Sequence, residues 1–214
     1  MLKHEFKTAH DTCFHLEKYI KPTDTVLDIG SGTGFVADLI RKRTGAKVVC
    51  LDVQKDPKAS YTPLLFDGKT MPFFDGAFTV SICCFVLHHT RFQRELLKEM
   101  KRVTQSRIII LEDVTENAAD YFLTTLHKLY SGFRYRSFCT RFRKSSSWKG
   151  LFQQCGFVVE KELEIGKSRE PTYPVSRRGF VLAKNGHLSK SAWPVLSEKQ
   201  VHYTAGMPFR IPTV

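Results

Sequence analysis

The chain predicts an α/β fold built on a mostly parallel sheet, and three observations carry that prediction. Short β-rich runs alternate with amphipathic helical stretches, and this order builds a parallel sheet with helices on both faces. The stretch VLDIGSGTGF, residues 26–35, drives an apolar strand through Gly30, Gly32 and Gly34 straight into a helix. The next two β-rich runs both end in a carboxylate, at Asp52 and Asp67.

The elements follow in order. Phe6, Ala9, Cys13, Leu16 and Ile20 recur at spacings of three and four, which is one face of a helix stopped by Pro22. TVLDIG is a buried strand. FVADLIRKR is the helix after the glycines, with Val36, Leu39 and Ile40 inward and Gly45 placed to cap it. KVVCLDV at 47–53, PLLFDG, and FTVSICCFVL at 78–87 give the second, third and fourth strands. RFQRELLKEMKRV is a helix with Leu96, Leu97 and Met100 inward, and RIIILEDV is the fifth strand. Ser145–Ser147 suit the cap of a further helix that turns Trp148, Leu151 and Phe152 inward. FVVEKELEI and GFVLAKN close the pattern as a hairpin at the sheet edge. Residues 186–214 carry three prolines and little periodicity, so an extended or disordered tail is expected there.

Composition narrows the class. With 214 residues, 42% hydrophobic and 25% charged, the chain suits one well-cored domain. No apolar run reaches the ~18 residues of a membrane span. The N-terminus has neither the apolar core of a secretory signal nor the acid-poor character of a mitochondrial presequence. Six cysteines without a C-x-x-C pair, four of them in apolar stretches, read as reduced thiols of an intracellular, cytoplasmic protein and offer no metal site. A net charge of +12 favours an anionic partner or substrate.

The glycine turn is the candidate binding site, with a purely structural tight turn as the alternative. At the N-terminus of a helix, unpaired N–H groups and the helix dipole favour an anionic group. A dinucleotide fingerprint, G-x-G-x-x-G, requires glycine where Phe35 stands; G-x-G-x-G instead suits a smaller, carboxylate-bearing ligand. Asp52 is placed to accept two hydroxyls of a ribose, and Asp67, followed by Gly68, to receive an adenine amino group. Any one of these aspartates could equally be a solvated loop residue or a helix cap. Three ligand elements in order along one sheet edge point to a nucleoside bearing an amino acid.

VLDIGSGTG, LDV, FDG, FTVSICCFVLHHT, LLKEMKRV and IIILEDV together resemble the class I S-adenosylmethionine-dependent methyltransferases, in particular the type 11 group that includes quinone-biosynthesis methyltransferases. The likeness covers roughly residues 20–115 and, with the closing hairpin, extends to about 185. It implies a three-layer αβα Rossmann-like methyltransferase fold: a mostly parallel seven-stranded sheet ending in an antiparallel hairpin, within a domain of residues 1–185. It also implies S-adenosyl-L-methionine as cofactor. Gly30, Ser31, Gly32 and Gly34 would line its amino-acid part, with Asp28 beneath. Asp52 would hold the ribose, Val53 would lie on the adenine face, Asp67 and Gly68 would bind the adenine edge, and Cys83 would contact the methionine portion. Thr79 departs from the aspartate common at the start of the fourth strand, and the segment between Asp52 and Asp67 is short for a helix.

Methyl transfer from a sulfonium needs alignment and exclusion of water more than it needs a base. No catalytic residue is assigned. His88 and His89 are candidates for a general base, and packing at the strand end is the alternative for both. The resemblance implies that residues 116–145 shape the substrate site as a lid. No acidic residue occurs between Tyr121 and Val159, whereas Lys128, Arg134, Arg136, Arg141, Arg143, Lys144 and Lys149 fall there. Interleaved with Phe133, Tyr135, Phe138 and Phe142, these cations suit RNA or a ribonucleoprotein, a lid over a small-molecule pocket, or a solvated face. Two functions therefore stand: a methyltransferase acting on a small-molecule acceptor, for which the charge favours an anion, and a methyltransferase-like RNA-binding module with little activity.

Overall fold

The structure is a computed structural model that describes residues 2–59, 61–135, 141–168 and 173–184. Seven strands form one sheet: β1 (Thr25–Ile29), β2 (Lys47–Asp52), β3 (Leu64–Leu65), β4 (Phe78–Cys84), β5 (Thr104–Val114), β6 (Phe157–Lys167) and β7 (Ser176–Lys184). Their order is β3-β2-β1-β4-β5-β7-β6. The first five run parallel, and β7 inserts antiparallel between β5 and β6. The strand order reverses between β1 and β4, so the C-terminal edge there opens the crevice in which such sheets bind ligands.

Alternation along the strands gives the three layers. On β5, Ile108 and Ile110 face one side, with Leu96, Leu97 and Met100 of α3 (Gln93–Val103) and Trp148 and Phe152 of α5 (Ser145–Gln154). Ile109 and Leu111 face the other, with Ala9, Cys13 and Leu16 of α1 (Leu2–Leu16) and Ala37, Leu39 and Ile40 of α2 (Phe35–Thr44). Successive side chains on a strand point to opposite faces, so a parallel sheet buried on both sides needs such unbroken apolar runs. The expected fold class is the observed one.

Some local expectations change. Phe6 is 49% exposed, although it shares the inward spacing; it lies against the rings of Phe35 and His10 instead. In α2, Ala37 is buried and Val36 only partly so. Gly45 does cap α2, at φ 76, with its N–H on the Arg41 carbonyl. The third strand shrinks to two residues because it pairs only with the end of β2, and no helix precedes it among the described residues. The serines do not cap α5. Lys144 takes the N-cap position without a side-chain bond, and Glu116 accepts the Ser145 N–H at 2.7 Å. Thr79 has a structural task in place of the acid: its hydroxyl donates to Asp24 at 2.9 Å and accepts the Thr25 N–H, tying β4 to β1.

The segment expected to form a lid begins with α4 (Ala118–Tyr135), capped by Asn117 Oδ1 on the Asp120 N–H. Tyr121, Phe122, Leu126 and Leu129 on it are exposed. The tail 186–214, Arg136, Phe138 and Cys139 lie outside the described residues, as do the side chains of Lys128, Phe133, Arg134 and Tyr135. No described helix is long and apolar enough to cross a membrane.

Candidate active site

Two cavities meet at Gly30, at the C-terminal edge of β1. The larger, about 470 Å³, is lined by Asp52, Val53, Phe66, Asp67, Gly68 and Val86, with His89 to Phe92 on the far wall. The smaller, about 300 Å³, is lined by Asp28, Ser31, Gly32 and Thr33 of the glycine turn, by Cys84 and Phe85, by α1, and by Arg177. The expected ribose and adenine residues therefore share one chamber; of the expected amino-acid residues, Asp28, Ser31 and Gly32 share the other, Gly30 lines both and Gly34 lines neither.

The three glycines are required for different reasons. All have positive φ, at 70, 51 and 77°. A Cβ on Gly30 would lie 2.3 Å from Val86 Cγ2, and one on Gly34 would lie 2.6 Å from Tyr61 Cε2. A Cβ on Gly32 would meet nothing within 4 Å, because that position opens on the cavity. Gly34 is buried and lines neither cavity; it starts α2 in the left-handed conformation and so sets the turn from behind.

Asp52 holds this turn as well as facing the larger chamber. Its Oδ2 accepts the Gly32 N–H at 2.8 Å, and its Oδ1 accepts the Val53 N–H at 2.7 Å. Asp67 accepts the N–H groups of Lys69 and Thr70, both at 2.8 Å, which keep its carboxyl below the usual range. Val53 is 58% exposed on the cavity wall, an apolar surface ready for a flat ring.

Cys83 is a correction. It is fully buried in the layer facing α3, whereas Cys84 turns to the smaller cavity, as strand alternation requires of neighbours. Beyond Cys84 the chain bends sharply: Phe85 has φ 59, the one non-glycine residue with positive φ among those described. Its N–H is held by the Leu111 carbonyl at 2.7 Å. Left-handed backbone costs a bulky residue ~1–2 kcal/mol, so this bend is sustained by its surroundings.

The two histidines separate. His88 is buried, with Nδ1 2.6 Å from Glu112 Oε2 and its ring stacked on Phe142 at 4.6 Å. Glu112 Oε1 also accepts the Leu87 N–H, and burial pushes the carboxyl up to about 8 against the pull of these backbone donors. His88 is thus built into the wall. His89 lines the larger chamber, beside the expected adenosine residues.

Glu112, Phe85 and Arg177 were not visible from the sequence. Acidic residues ending a buried strand were a usable signal for Glu112. Nothing local marks Arg177, which reaches the site only because β7 inserts beside β5.

Whether these residues fit S-adenosylmethionine can be tested on Asp28. It is buried at the end of β1, and its Oδ2 has no hydrogen-bond partner among the described residues. Burial pushes its carboxyl up to about 7, helped by Asp52 and opposed by Arg41. An unpartnered buried carboxylate oxygen beside open space at Gly32 calls for a cationic donor, and the ammonium of an amino acid is one. The residues fit the cofactor.

Comparison with known proteins agrees. Residues 27–110 match the family model described as "Methyltransferase domain", type 11. A ubiquinone/menaquinone biosynthesis C-methyltransferase, UbiE, of Stenotrophomonas maltophilia is 31% identical over 122 residues, covering 48% of this chain and 47% of that protein. The ribosomal protein L11 methyltransferase of Thermotoga maritima is 26% identical over 123 residues, covering 53% of this chain and 46% of that protein. The chain thus spans about half the length of the curated relatives it matches. Among solved structures, geranyl diphosphate methyltransferase in complex with SAM superposes with TM-score 0.62 at 12% identity, covering 84% of this chain and 85% of that one. A chain of the Haloferax volcanii complex of the Trm112 methyltransferase activator with a methyltransferase also gives 0.62, at 14% identity, covering 84% and 93%. The sequence match and the sheet order agree: residues 27–110 match the type 11 methyltransferase domain, on a fold shared with solved S-adenosylmethionine-dependent methyltransferases.

Proposed function

We propose that this protein transfers a methyl group from S-adenosylmethionine to a small-molecule acceptor. The observation that carries the reading is the pair of cavities joined at Gly30. One is sized and lined for adenosine; the other has an unpartnered carboxylate and room beyond it. S-adenosylmethionine supplies the electrophilic methyl group. Asp52, Val53, Asp67 and Gly68 would hold the nucleoside, and Asp28, Ser31 and Gly32 the amino-acid portion. Phe35, Phe85 and α1 would exclude water and align the acceptor. Gly34 acts through the turn, and Cys83 is replaced at the cavity by Cys84.

RNA binding through residues 128–149 has less support. Of the four cations there whose side chains are described, Arg143 bonds Gln93 and lies over the Trp148 ring, and Lys149 pairs with Glu162. Arg141 and Lys144 are left exposed.

Calorimetric titration with S-adenosylmethionine and S-adenosylhomocysteine tests the cofactor site. Micromolar binding that Gly32→Arg abolishes supports it; no binding by the wild type refutes it. A transfer assay on small-molecule, protein and RNA fractions then identifies the acceptor class.

A further inference from the structure

We propose that Arg177 is the anchor for a carboxylate in the smaller cavity, carried by the methyl acceptor. This inference rests on the reading of that cavity as the place of methyl transfer. Arg177 stands at the start of β7, and its side chain is 14% exposed. Its Nε donates to Asp113 Oδ1 at 2.9 Å, and its guanidinium lies 4.3 Å over the Phe85 ring. Asp113 is itself buried, and burial raises its carboxyl while Arg177 lowers it. One of five N–H donors is thereby used. Neither Nη nitrogen makes a hydrogen bond among the described residues.

The rest of the cavity leaves this role to Arg177. It is the only cation among the described residues lining the space. The glycine-turn amides, expected to receive an anionic group, are largely committed within the protein. The Gly30 and Ser31 N–H groups go to the Leu51 carbonyl, Gly32 goes to Asp52, and Gly34 goes to the Ser31 carbonyl. Across the cavity, Glu5 Oε2 and Asp28 Oδ2 are both buried without a hydrogen-bond partner among the described residues. A planar guanidinium held by Nε and by an aromatic face presents two parallel Nη donors, which is the geometry that grips a carboxylate with two bonds. The aromatic lining by Phe35 and Phe85 suits a flat body behind that group.

The carboxylate has two sources, the acceptor and the amino-acid end of the cofactor. Full-length wild type and Arg177→Lys are titrated with S-adenosylhomocysteine, which has the carboxylate, and with methylthioadenosine, which lacks the amino acid. Benzoate and uncharged benzamide are then titrated into protein saturated with S-adenosylhomocysteine. The lysine keeps a cation opposite Asp113; Arg177→Gln serves as a second variant if it does not fold. Expected are nucleoside affinities within twofold of wild type, together with a tenfold preference for benzoate over benzamide that the variant loses. Tenfold weaker S-adenosylhomocysteine with unchanged methylthioadenosine keeps the anchor, assigns it to the cofactor and overturns the acceptor as source. No Arg177-dependent difference in either titration overturns the proposal. Failure of wild type to bind either nucleoside instead refutes the methyltransferase reading, and benzoate against benzamide on the unliganded chain still tests Arg177.

Discussion

Asp28 gives the sharpest test, because the same carboxylate should cost the empty protein stability and give the cofactor affinity. Its pKa rises from the ordinary 3.8 to about 7 in the fold, chiefly through burial. A shift of that size corresponds to about 4 kcal/mol between the two protonation states. For an acid raised in the folded state the sign is fixed. The unfolded chain ionises from about 3.8 upward while the folded one stays protonated, so stability falls as pH rises to about 7 and the penalty is constant above it. Asp28→Asn removes this penalty but adds an amide whose unmatched groups cost ~1–3 kcal/mol. The unliganded variant should therefore be more stable than wild type at pH 8, by about 1–3 kcal/mol or several degrees in Tm, and no more stable at pH 4.

Ligand binding reverses the balance. An ammonium at Oδ2 favours the ionised acid, so S-adenosylhomocysteine binding to wild type should release a proton below pH 7. Its affinity should rise by up to tenfold per pH unit between about pH 5 and 7, then level off. Asp28→Asn should lose that slope and bind more weakly at pH 8. Calorimetry in buffers of different ionisation enthalpy reads the proton directly, and thermal melts read the stability. A wild type with pH-independent affinity, joined to a variant less stable at pH 8, would show that Asp28 only supports the turn.

The remaining predictions follow from individual contacts. Gly30→Ala should melt well below wild type, because its Cβ meets Val86 at 2.3 Å on a left-handed backbone. Gly32→Arg has open space at its Cβ, so it should stay folded at a cost of ~1–2 kcal/mol and lose cofactor in the same calorimeter. Glu112→Ala leaves the Leu87 N–H and His88 without their buried acceptor and should cost ~3–5 kcal/mol in a denaturant melt; Glu112→Gln should recover most of it. Thr79→Val should lose ~1–2 kcal/mol of stability and leave cofactor affinity unchanged, since its hydroxyl ties β4 to Asp24 at the opposite end of the strand.

What could be read in the sequence depended on how locally each feature is encoded. The strands other than β3, and α2 with its Gly45 cap, are written within a few residues of themselves, and they stand as expected. Strand β3 was overestimated because PLLFDG has the apolar character of a strand, whereas its length is set by how far β2 extends beside it. Cys83 and Cys84 are chemically identical and adjacent, so only the strand's facing decides which reaches the cavity. Arg177 was invisible for the opposite reason: it enters the site through the antiparallel insertion of β7, paired with Asp113 across 64 residues.

Asp52 ties the glycine turn to the carboxylate we propose for the nucleoside. Its Oδ1 accepts the N–H groups of Val53 and Gln54, at 2.7 and 3.3 Å, and its Oδ2 accepts the Gly32 N–H, yet Oδ2 keeps a second lone pair to offer. The turn therefore fixes the carboxylate before any ribose arrives, and the carboxylate fixes the turn. Asp52→Asn would put this to the test, since an amide has one acceptor oxygen for two jobs. Affinity for S-adenosylhomocysteine and for adenosine should fall together by roughly 10–100-fold, about 1.4–2.7 kcal/mol. Methionine-side binding should weaken as well, because Gly32 loses its anchor. A loss confined to the nucleoside, with Gly32 amide exchange unchanged by hydrogen–deuterium measurement, would mean that the turn holds its shape without Asp52. Then the glycines alone, through their positive φ, would be what positions the amino-acid chamber.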